Sequence, residues 1–163
     1  KPKKKNFTQM TLLLVMSLAI FALSGVVYVL NEQSVAQHNI AVEKITALSE
    51  FIKGVEHDRH LDDVLNDLEL PANTGVFVVN NAMDKIIGKK TNDIGFSPDL
   101  ITPETKQTFL VRAKTGGGIV VFPWKERCKE NGVLMPILAS VFSSKRSTNI
   151  FIVASVNEYK TIF

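Results

Sequence analysis

Residues 10–30 read MTLLLVMSLAIFALSGVVYVL, a run without a single charged side chain. At 1.5 Å of rise per residue, a helix of this length measures roughly 31 Å, which matches the roughly 30 Å hydrocarbon core of a bilayer. The run therefore predicts a transmembrane helix. A cleaved signal peptide is the competing interpretation, with small residues before Gly25 as its cleavage site, but the apolar run is longer than the core of a usual signal peptide.

The charges that precede this run predict the orientation of the chain. Four lysines and no acidic residue lie within residues 1–9. The positive-inside rule places such a tail in the cytoplasm. We therefore expect a single-pass protein of the inner (cell) membrane, with residues 1–9 cytoplasmic, residues 10–30 in the lipid bilayer and residues 31–163 forming one periplasmic or extracellular domain.

The same distribution of charge excludes a nucleic-acid partner. The chain of 163 residues carries a net charge of +3 and has a pI near 9.0. The lysine tail supplies this excess, so the rest of the chain lacks the basic surface that phosphate groups require. The expected partners are instead the bilayer, a small molecule and other protein chains.

Helical periodicity continues beyond the apolar run. No Gly or Pro interrupts residues 31–53, and apolar residues recur at spacings of three, four and seven, which is typical of an amphipathic helix. These residues are Val35, Ile40, Val42, Ile45, Leu48, Phe51, Ile52 and Val55. The membrane helix is therefore predicted to continue as one long helix, followed by a short helix over residues 61–70 that ends before Pro71.

From Gly75 onward, short β-rich runs separated by turn residues predict a sheet. Thr102 followed by Pro103 predicts the start of a helix that runs to about Thr115, because a polar cap precedes proline at the first helical position. The expected strands cover residues 75–80, 85–90, 119–125, 133–144 and 149–156. Their short polar connections favour antiparallel neighbours. The predicted fold is α+β, with the long helix packed on a five-stranded antiparallel sheet.

Five short segments follow one another in a recognisable order. They are residues 75–80 (GVFVVN), 85–88 (KIIG), 94–95 (IG), 122–124 (FPW) and 149–156 (NIFIVASV). In this order and spacing, residues 31–158 resemble a single Cache domain, the PAS-like extracytoplasmic module of bacterial chemoreceptors and sensor kinases. The resemblance implies a small-molecule pocket on one face of the sheet, and a role in signal transduction.

The resemblance also implies candidate ligand-binding residues. Many family members carry His-Pro where this chain has Lys89 and Lys90, and one of these lysines, directed into the pocket, would bind a carboxylate through a charge-assisted hydrogen bond. Phe122 and Trp124 are two residues apart and share one face of a strand, where they would line the pocket or pack in the core. The complete candidate set is Phe77, Lys89, Lys90, Arg112, Phe122 and Trp124.

No motif indicates an enzyme or a bound metal. The chain has no G-x-S-x-G or H-E-x-x-H motif, and the glycines at 116–118 lack the Gly-Lys-Ser/Thr of a phosphate loop. His57 and His60 share one side of a helical turn, but they lack the defined third and fourth ligands of a closed zinc site. We therefore expect no enzymatic activity, no metal and no cofactor.

Two functions are compatible with these features. In the first, the domain senses a small molecule, with a carboxylate as one candidate, and signals through its membrane-proximal helix in a homodimer or a larger membrane protein complex. Residues 1–163 would then be the input half of a longer receptor. In the second, the chain is a complete single-pass accessory subunit, and its Cache-like domain docks on a partner protein without a ligand, with residues 133–142 as a candidate contact.

Overall fold

A computed structural model of the protein describes residues 2–124 and 135–156. Within these ranges the fold is α+β, as predicted, with a long N-terminal helix and a five-stranded antiparallel sheet. The elements are α1 (Pro2–Val55), α2 (Leu61–Asp67), β1 (Thr74–Val79), β2 (Ile86–Asn92), a short 3₁₀ helix (Pro98–Leu100), α3 (Pro103–Lys114), β3 (Gly118–Trp124), β4 (Met135–Ser143) and β5 (Ile150–Val156). The chain divides into two compact units, and the boundary between them lies within α1, after Gln37.

The first part of α1 carries the predicted membrane segment. Asn6–Glu32 is long and apolar enough to cross a membrane, by length and composition. Its large apolar side chains are exposed, which is unfavourable in water and favourable in lipid. Two hydroxyl groups in the segment are internally satisfied, because Thr11 donates to the Phe7 carbonyl and Ser17 to the Leu13 carbonyl, both at 2.9 Å. These two side chains thus meet the requirement that polar groups in hydrocarbon find partners within the helix.

The sheet has the strand order β2-β1-β5-β4-β3, with every neighbouring pair antiparallel. The central strand β5 has side chains buried on both of its sides, which explains its continuous apolar sequence. Pro123 of the edge strand β3 lies opposite Pro136 of β4. Neither proline has an N–H to donate. Pro123 lies on an edge strand and Pro136 near the start of β4, positions at which prolines are tolerated in sheets.

Helices cover both faces of the sheet. On one side, which we call the α3 face, Phe77, Phe122 and Ile152 pack with Phe109 of α3 and with Phe96. On the other side, the α1 face, the end of α1 and α2 cover the sheet. The core of the α1 face consists of Ile45, Ile52, Leu65, Leu68, Val76, Val78, Leu138, Phe142, Phe151 and Val153.

Local signals predicted the ends of α3 correctly. The Thr102 side chain accepts a hydrogen bond from the Thr105 N–H at 3.2 Å, and Pro103 occupies the first turn. Gly117 has φ +84°, and a Cβ at this residue would lie 3.0 Å from the Val141 carbonyl oxygen. The positive φ and the close approach both require glycine, so the chain leaves α3 and enters β3 at this point.

Two predicted boundaries differ from the structure by two residues or more, and a third cannot be compared. Helix α2 ends at Asp67 instead of residue 70, because Leu68 is already extended, with ψ 128°. Strand β2 continues to Asn92, two residues further than expected, since its register with β1 extends to Thr74 opposite Asn92. The fourth strand was expected from residue 133, and residues 133 and 134 lie outside the described part of the chain.

Candidate functional site

Phe77 and Phe122, two of the predicted pocket residues, lie on the α3 face within a cluster of rings. The Phe77 ring lies 5.7 Å from that of Phe96, and the Phe122 ring lies 5.3 Å from those of Phe96 and Phe109. The side chains of Phe77 and Phe122 are 1% and 7% exposed. These two aromatic residues therefore pack against other rings of the domain. The side chain of Trp124 lies outside the described residues.

The two candidate lysines lie on opposite faces of the sheet. Lys89 is paired with Phe77 across β1 and β2 and is therefore on the α3 face, where its side chain is exposed. Lys90 lies on the α1 face, and its Nζ donates to the carbonyl of Asn66 at 3.0 Å and to that of Leu68. A cation at these carbonyls stabilises the C-terminal end of α2. Lys90 therefore lies on the opposite face of the sheet from the aromatic candidates Phe77 and Phe122.

Arg112 lies on α3 with its side chain exposed. Its aliphatic part covers Gly118 at the start of β3, because a Cβ added to that glycine would lie 2.9 Å from Arg112 Cδ. The six predicted residues thus do not form one cluster in the part of the chain that the structure describes.

A different polar site lies on the α1 face. We call it the hairpin cleft, a cavity of about 280 Å³ between the α1–α2 connection and the loop that joins β4 to β5. Its polar walls are Glu56, Arg59, His60, Ser144, Arg146, Ser147 and Asn149, and its apolar floor is Leu61, Val64, Val78 and Phe151. A polar rim over an apolar floor is typical of sites that bind small organic molecules.

Two side chains of the β4–β5 loop hold it to the end of α1. The Arg146 Nη1 donates to the carbonyls of Glu56 at 3.1 Å and Arg59 at 3.2 Å. The Ser144 hydroxyl donates a hydrogen bond to the Glu56 carboxylate. The hydroxyl oxygen of Ser144 also accepts a hydrogen bond from the backbone N–H of Arg146 at 3.2 Å. The Glu56 N–H in turn donates to the Ile52 carbonyl in the last turn of α1 at 2.9 Å. We call these contacts the α1 clamp.

Two arginines and one glutamate line the cleft. Arg59 forms an ion pair with Asp67 of α2. Within the described ranges, Arg146 forms no ion pair, and its guanidinium is positioned by backbone carbonyls alone. The two arginines and the two carboxylates, Glu56 and Asp67, balance one another in charge, and Arg146 is the arginine whose guanidinium has no acidic partner in the described ranges.

Sequence reasoning missed this cleft. Glu56, Arg59 and Arg146 were predicted in polar connections and Ser144 at the end of the fourth strand, and nothing local shows that they meet, because the hydrogen bond from Arg146 to Glu56 joins positions 90 residues apart. His57 and His60 had been considered as metal ligands, and His60 lines the cleft instead. Among residues 2–124 and 135–156, no group of three or more His, Cys, Asp or Glu side chains is placed to hold a metal ion.

A second depression lies between α1 and the chain at the end of α2. We call it the α1–α2 groove, and it is lined by Lys44, Ala47, Leu48, Phe51, Asp67, Leu68, Glu69 and Pro71. The Phe51 side chain is 50% exposed there, and Ile40, further along the same helix, is 44% exposed. Exposed apolar residues on a helix that already covers a sheet are candidates for contact with another chain.

The predicted protein contact on the fourth strand is wrong in the described part of that strand. Strand β4 lies between β3 and β5, and Leu138, Ala139 and Val141 are fully buried. A strand in the interior of a sheet with both faces covered has no surface to offer a partner.

No protein-family model matches the chain, and no curated protein matches it. The similarity to Cache domains therefore stays a prediction.

Proposed function

We propose that this chain is a membrane-anchored sensing domain. The domain that begins at His38 binds a small polar molecule outside the membrane, and α1 carries the resulting change into the bilayer. The observation that supports this proposal most strongly is the α1 clamp. It links a ligand-sized cleft directly to the helix whose first part can span a membrane.

The end of α1 is a structural part of the domain, which is what transmission requires. Ile45 and Ile52 are fully buried against the sheet, and the buried Ser49 hydroxyl donates to the Ile45 carbonyl at 2.7 Å. A packed interior resists gradual deformation, so a rearrangement at the clamp shifts the helix as a unit. A ligand would drive this shift only through a higher affinity for one of the two arrangements.

The proposed orientation follows from the lysine tail. Residues 1–9 are cytoplasmic by the positive-inside rule, and the domain is periplasmic or extracellular. The proposed assembly is a homodimer in which the α1–α2 grooves of two copies face each other. Lys44 and Glu69 lie in the same groove, so a two-fold arrangement can bring opposite charges of the two copies together.

Docking on a partner protein is the second candidate function. It is favoured by the edge strand β3, where Val121 is 54% exposed and Pro123 is also exposed. In that case the domain would bind no small molecule, and its partner would cover β3.

The test is a ligand screen of the full chain in lipid nanodiscs, with carboxylates, amino acids and purines. A ligand at a hundred times its dissociation constant adds about 2.7 kcal/mol to the free energy of unfolding, which raises the melting temperature measurably. Hydrogen exchange would then be measured with and without the best compound. We expect changed protection of residues 38–55; a ligand that leaves these amides unchanged would contradict transmission through α1.

A further inference from the structure

The two outer strands of the sheet differ in how they are protected from other chains. Strand β2 carries Lys89 and Lys90, and lysines on an outer strand commonly prevent its pairing with another strand. Strand β3, at the opposite edge, has the sequence GIVVFPW and carries no charged side chain. We propose that the free edge of β3 binds an extended, uncharged segment of a partner protein as an additional strand. This inference goes beyond sensing and requires no small-molecule ligand.

The direction of the backbone groups in β4 is known from a hydrogen bond at its end. The Ser144 N–H, directly after β4, donates to the carbonyl of Asn149 before β5 at 2.9 Å. Backbone groups alternate in direction along a strand, and the register of β4 with both of its neighbours is continuous. The even-numbered residues of β4 therefore face β5, and the odd-numbered residues, such as Ile137, face β3. Since Phe122 lies opposite Ile137, the even-numbered residues of β3 are the ones that bond to β4.

The odd-numbered residues of β3 direct their backbone groups outward. Ile119 and Val121 each present an N–H and a C=O at the free edge, where the described part of the chain places no further strand. Pro123 faces the same way but offers only its carbonyl, because proline has no N–H. The edge is thus ready to pair with another strand over Ile119–Val121, and Pro123 limits the pairing at one end.

The side chains along this edge favour an uncharged partner segment. Val120 and Phe122 are buried on the α3 face, so Val121 between them points to the α1 face, where it is 54% exposed. A strand added beside β3 would place its own side chains next to Val121 and remove apolar surface from water. A charged side chain in that strand would find no opposite charge on β3. Valine, isoleucine and threonine suit such a position best.

A second copy of β3 does not fit as the added strand. Two identical edge strands pair antiparallel about a twofold axis perpendicular to the sheet, and this rotation reverses every direction within the sheet plane. The part of α1 that packs along the sheet through Ile45 and Ile52 would then run in opposite directions in the two copies. Two domains anchored through α1 in one membrane do not allow this arrangement. This step rests on the membrane anchoring proposed above, and it selects a different protein as the partner.

The probe is a fluorescent seven-residue peptide, Ser-Val-Thr-Val-Thr-Val-Ser, with N-methyl groups on its three valines. Alternate residues of a strand direct their N–H groups to the same edge, so these methyl groups block one edge and leave the other free to pair. The control is the same peptide methylated at every residue. Fluorescence polarisation with the full chain in nanodiscs should show binding of the first peptide and not of the control. Failure of the first peptide to bind, or equal binding of both, would overturn the inference.

Three substitutions locate the binding. Val121→Pro removes an outward N–H without removing a bond to β4, and Val121→Lys adds a charge of the kind that β2 carries. Each should weaken peptide binding by roughly tenfold. Val111→Lys places the same charge on α3, at a side chain that is 50% exposed, and should leave the affinity unchanged. Circular dichroism would show that each variant is folded, and Val121→Lys alone suffices as the test if Val121→Pro does not fold.

The outcomes separate this inference from the proposed function. Unchanged peptide affinity in Val121→Lys would overturn the site, even if the peptide binds elsewhere on the chain. A dimer that sedimentation detects and that Val121→Lys dissociates would overturn the choice of a different protein as the partner. Sensing is tested by the ligand screen, whose results should be the same in Val121→Lys as in the original chain. If the peptide binds at β3 and no compound of the screen does, the inference stands and sensing fails.

Discussion

The two faces of the sheet differ in how their interiors are filled. On the α3 face, aromatic rings contact one another, and the ligand-binding residues predicted there, Phe77 and Phe122, are part of that packing. On the α1 face, an apolar core gives way to a polar cleft beside the end of α1. The buried aromatic residues Phe77 and Phe122 thus belong to the core of one face, whereas polar contacts between distant loops lie at the edge of the other.

The largest expected effect comes from removing a ring on the α3 face. Phe109 is fully buried and contacts the Phe122 ring, so Phe109→Ala should lower the free energy of unfolding by about 3–5 kcal/mol. Val111→Ala on the exposed side of the same helix is the control, with an expected change within about 0.5 kcal/mol. Urea unfolding followed by circular dichroism measures both. A cost below about 1 kcal/mol for Phe109→Ala would show that this face is loosely packed.

The second test concerns the α1 face. Ile52 of α1 is fully buried there, and Ile52→Ala should cost about 2–4 kcal/mol of unfolding free energy. Its neighbour Phe51 is half exposed, so Phe51→Ala should change stability little and should weaken self-association if the α1–α2 groove is a dimer contact. Sedimentation in detergent measures the second effect. Equal destabilisation by the two substitutions would contradict the assignment of Ile52 to the sheet side of α1.

The third test weakens the α1 clamp without altering the core. Arg146→Met removes two hydrogen bonds to backbone carbonyls, which should cost about 1 kcal/mol after allowance for solvent exposure. The loss should appear as faster hydrogen exchange at residues 52–60 and at the β4–β5 loop. Lys145→Met should show neither effect. Unchanged exchange in the Arg146 variant would mean that the clamp does not hold the end of α1.

The smallest expected effect is a difference in stability between variants of the two adjacent lysines of β2. Lys90 donates to carbonyls at the end of α2, so Lys90→Met should lower stability by up to about 1 kcal/mol. Lys89 is exposed on the other face, and Lys89→Met should be neutral. If Lys89→Met alone weakens a ligand from the screen, the binding site lies on the α3 face and the hairpin cleft is not the site.

Local signals in the sequence were sufficient to predict much of the fold. The apolar run, the helical periodicity after it, the Thr102–Pro103 cap and the glycines after α3 each depend on neighbouring residues alone, and each predicted its element. The end of α2 was misplaced because three apolar or acidic residues after Asp67 continue the helical pattern while the backbone is already extended. Helix propensity alone does not predict the residue at which tertiary packing ends a helix.

The candidate site was less predictable because it depends on register and on distant contacts. Whether Lys89 or Lys90 shares a face with Phe77 follows from the pairing of β1 with β2, and a shift of one residue would exchange them. The cleft joins the α1–α2 connection to a loop some ninety positions away, as the bond from Arg146 to Glu56 shows. Neither segment carries a motif, so the polar side chains that meet there were individually uninformative.

The central claim is that α1 crosses a bilayer and holds the sensing domain on the side opposite the lysine tail. The most direct measurement is labelling of single cysteines with a membrane-impermeant maleimide in intact cells or protoplasts, in a Cys128→Ser background. Lys145→Cys in the β4–β5 loop should be labelled from outside, and Lys3→Cys only after the membrane is permeabilised. Protection of Lys145→Cys together with labelling of Lys3→Cys would contradict the account.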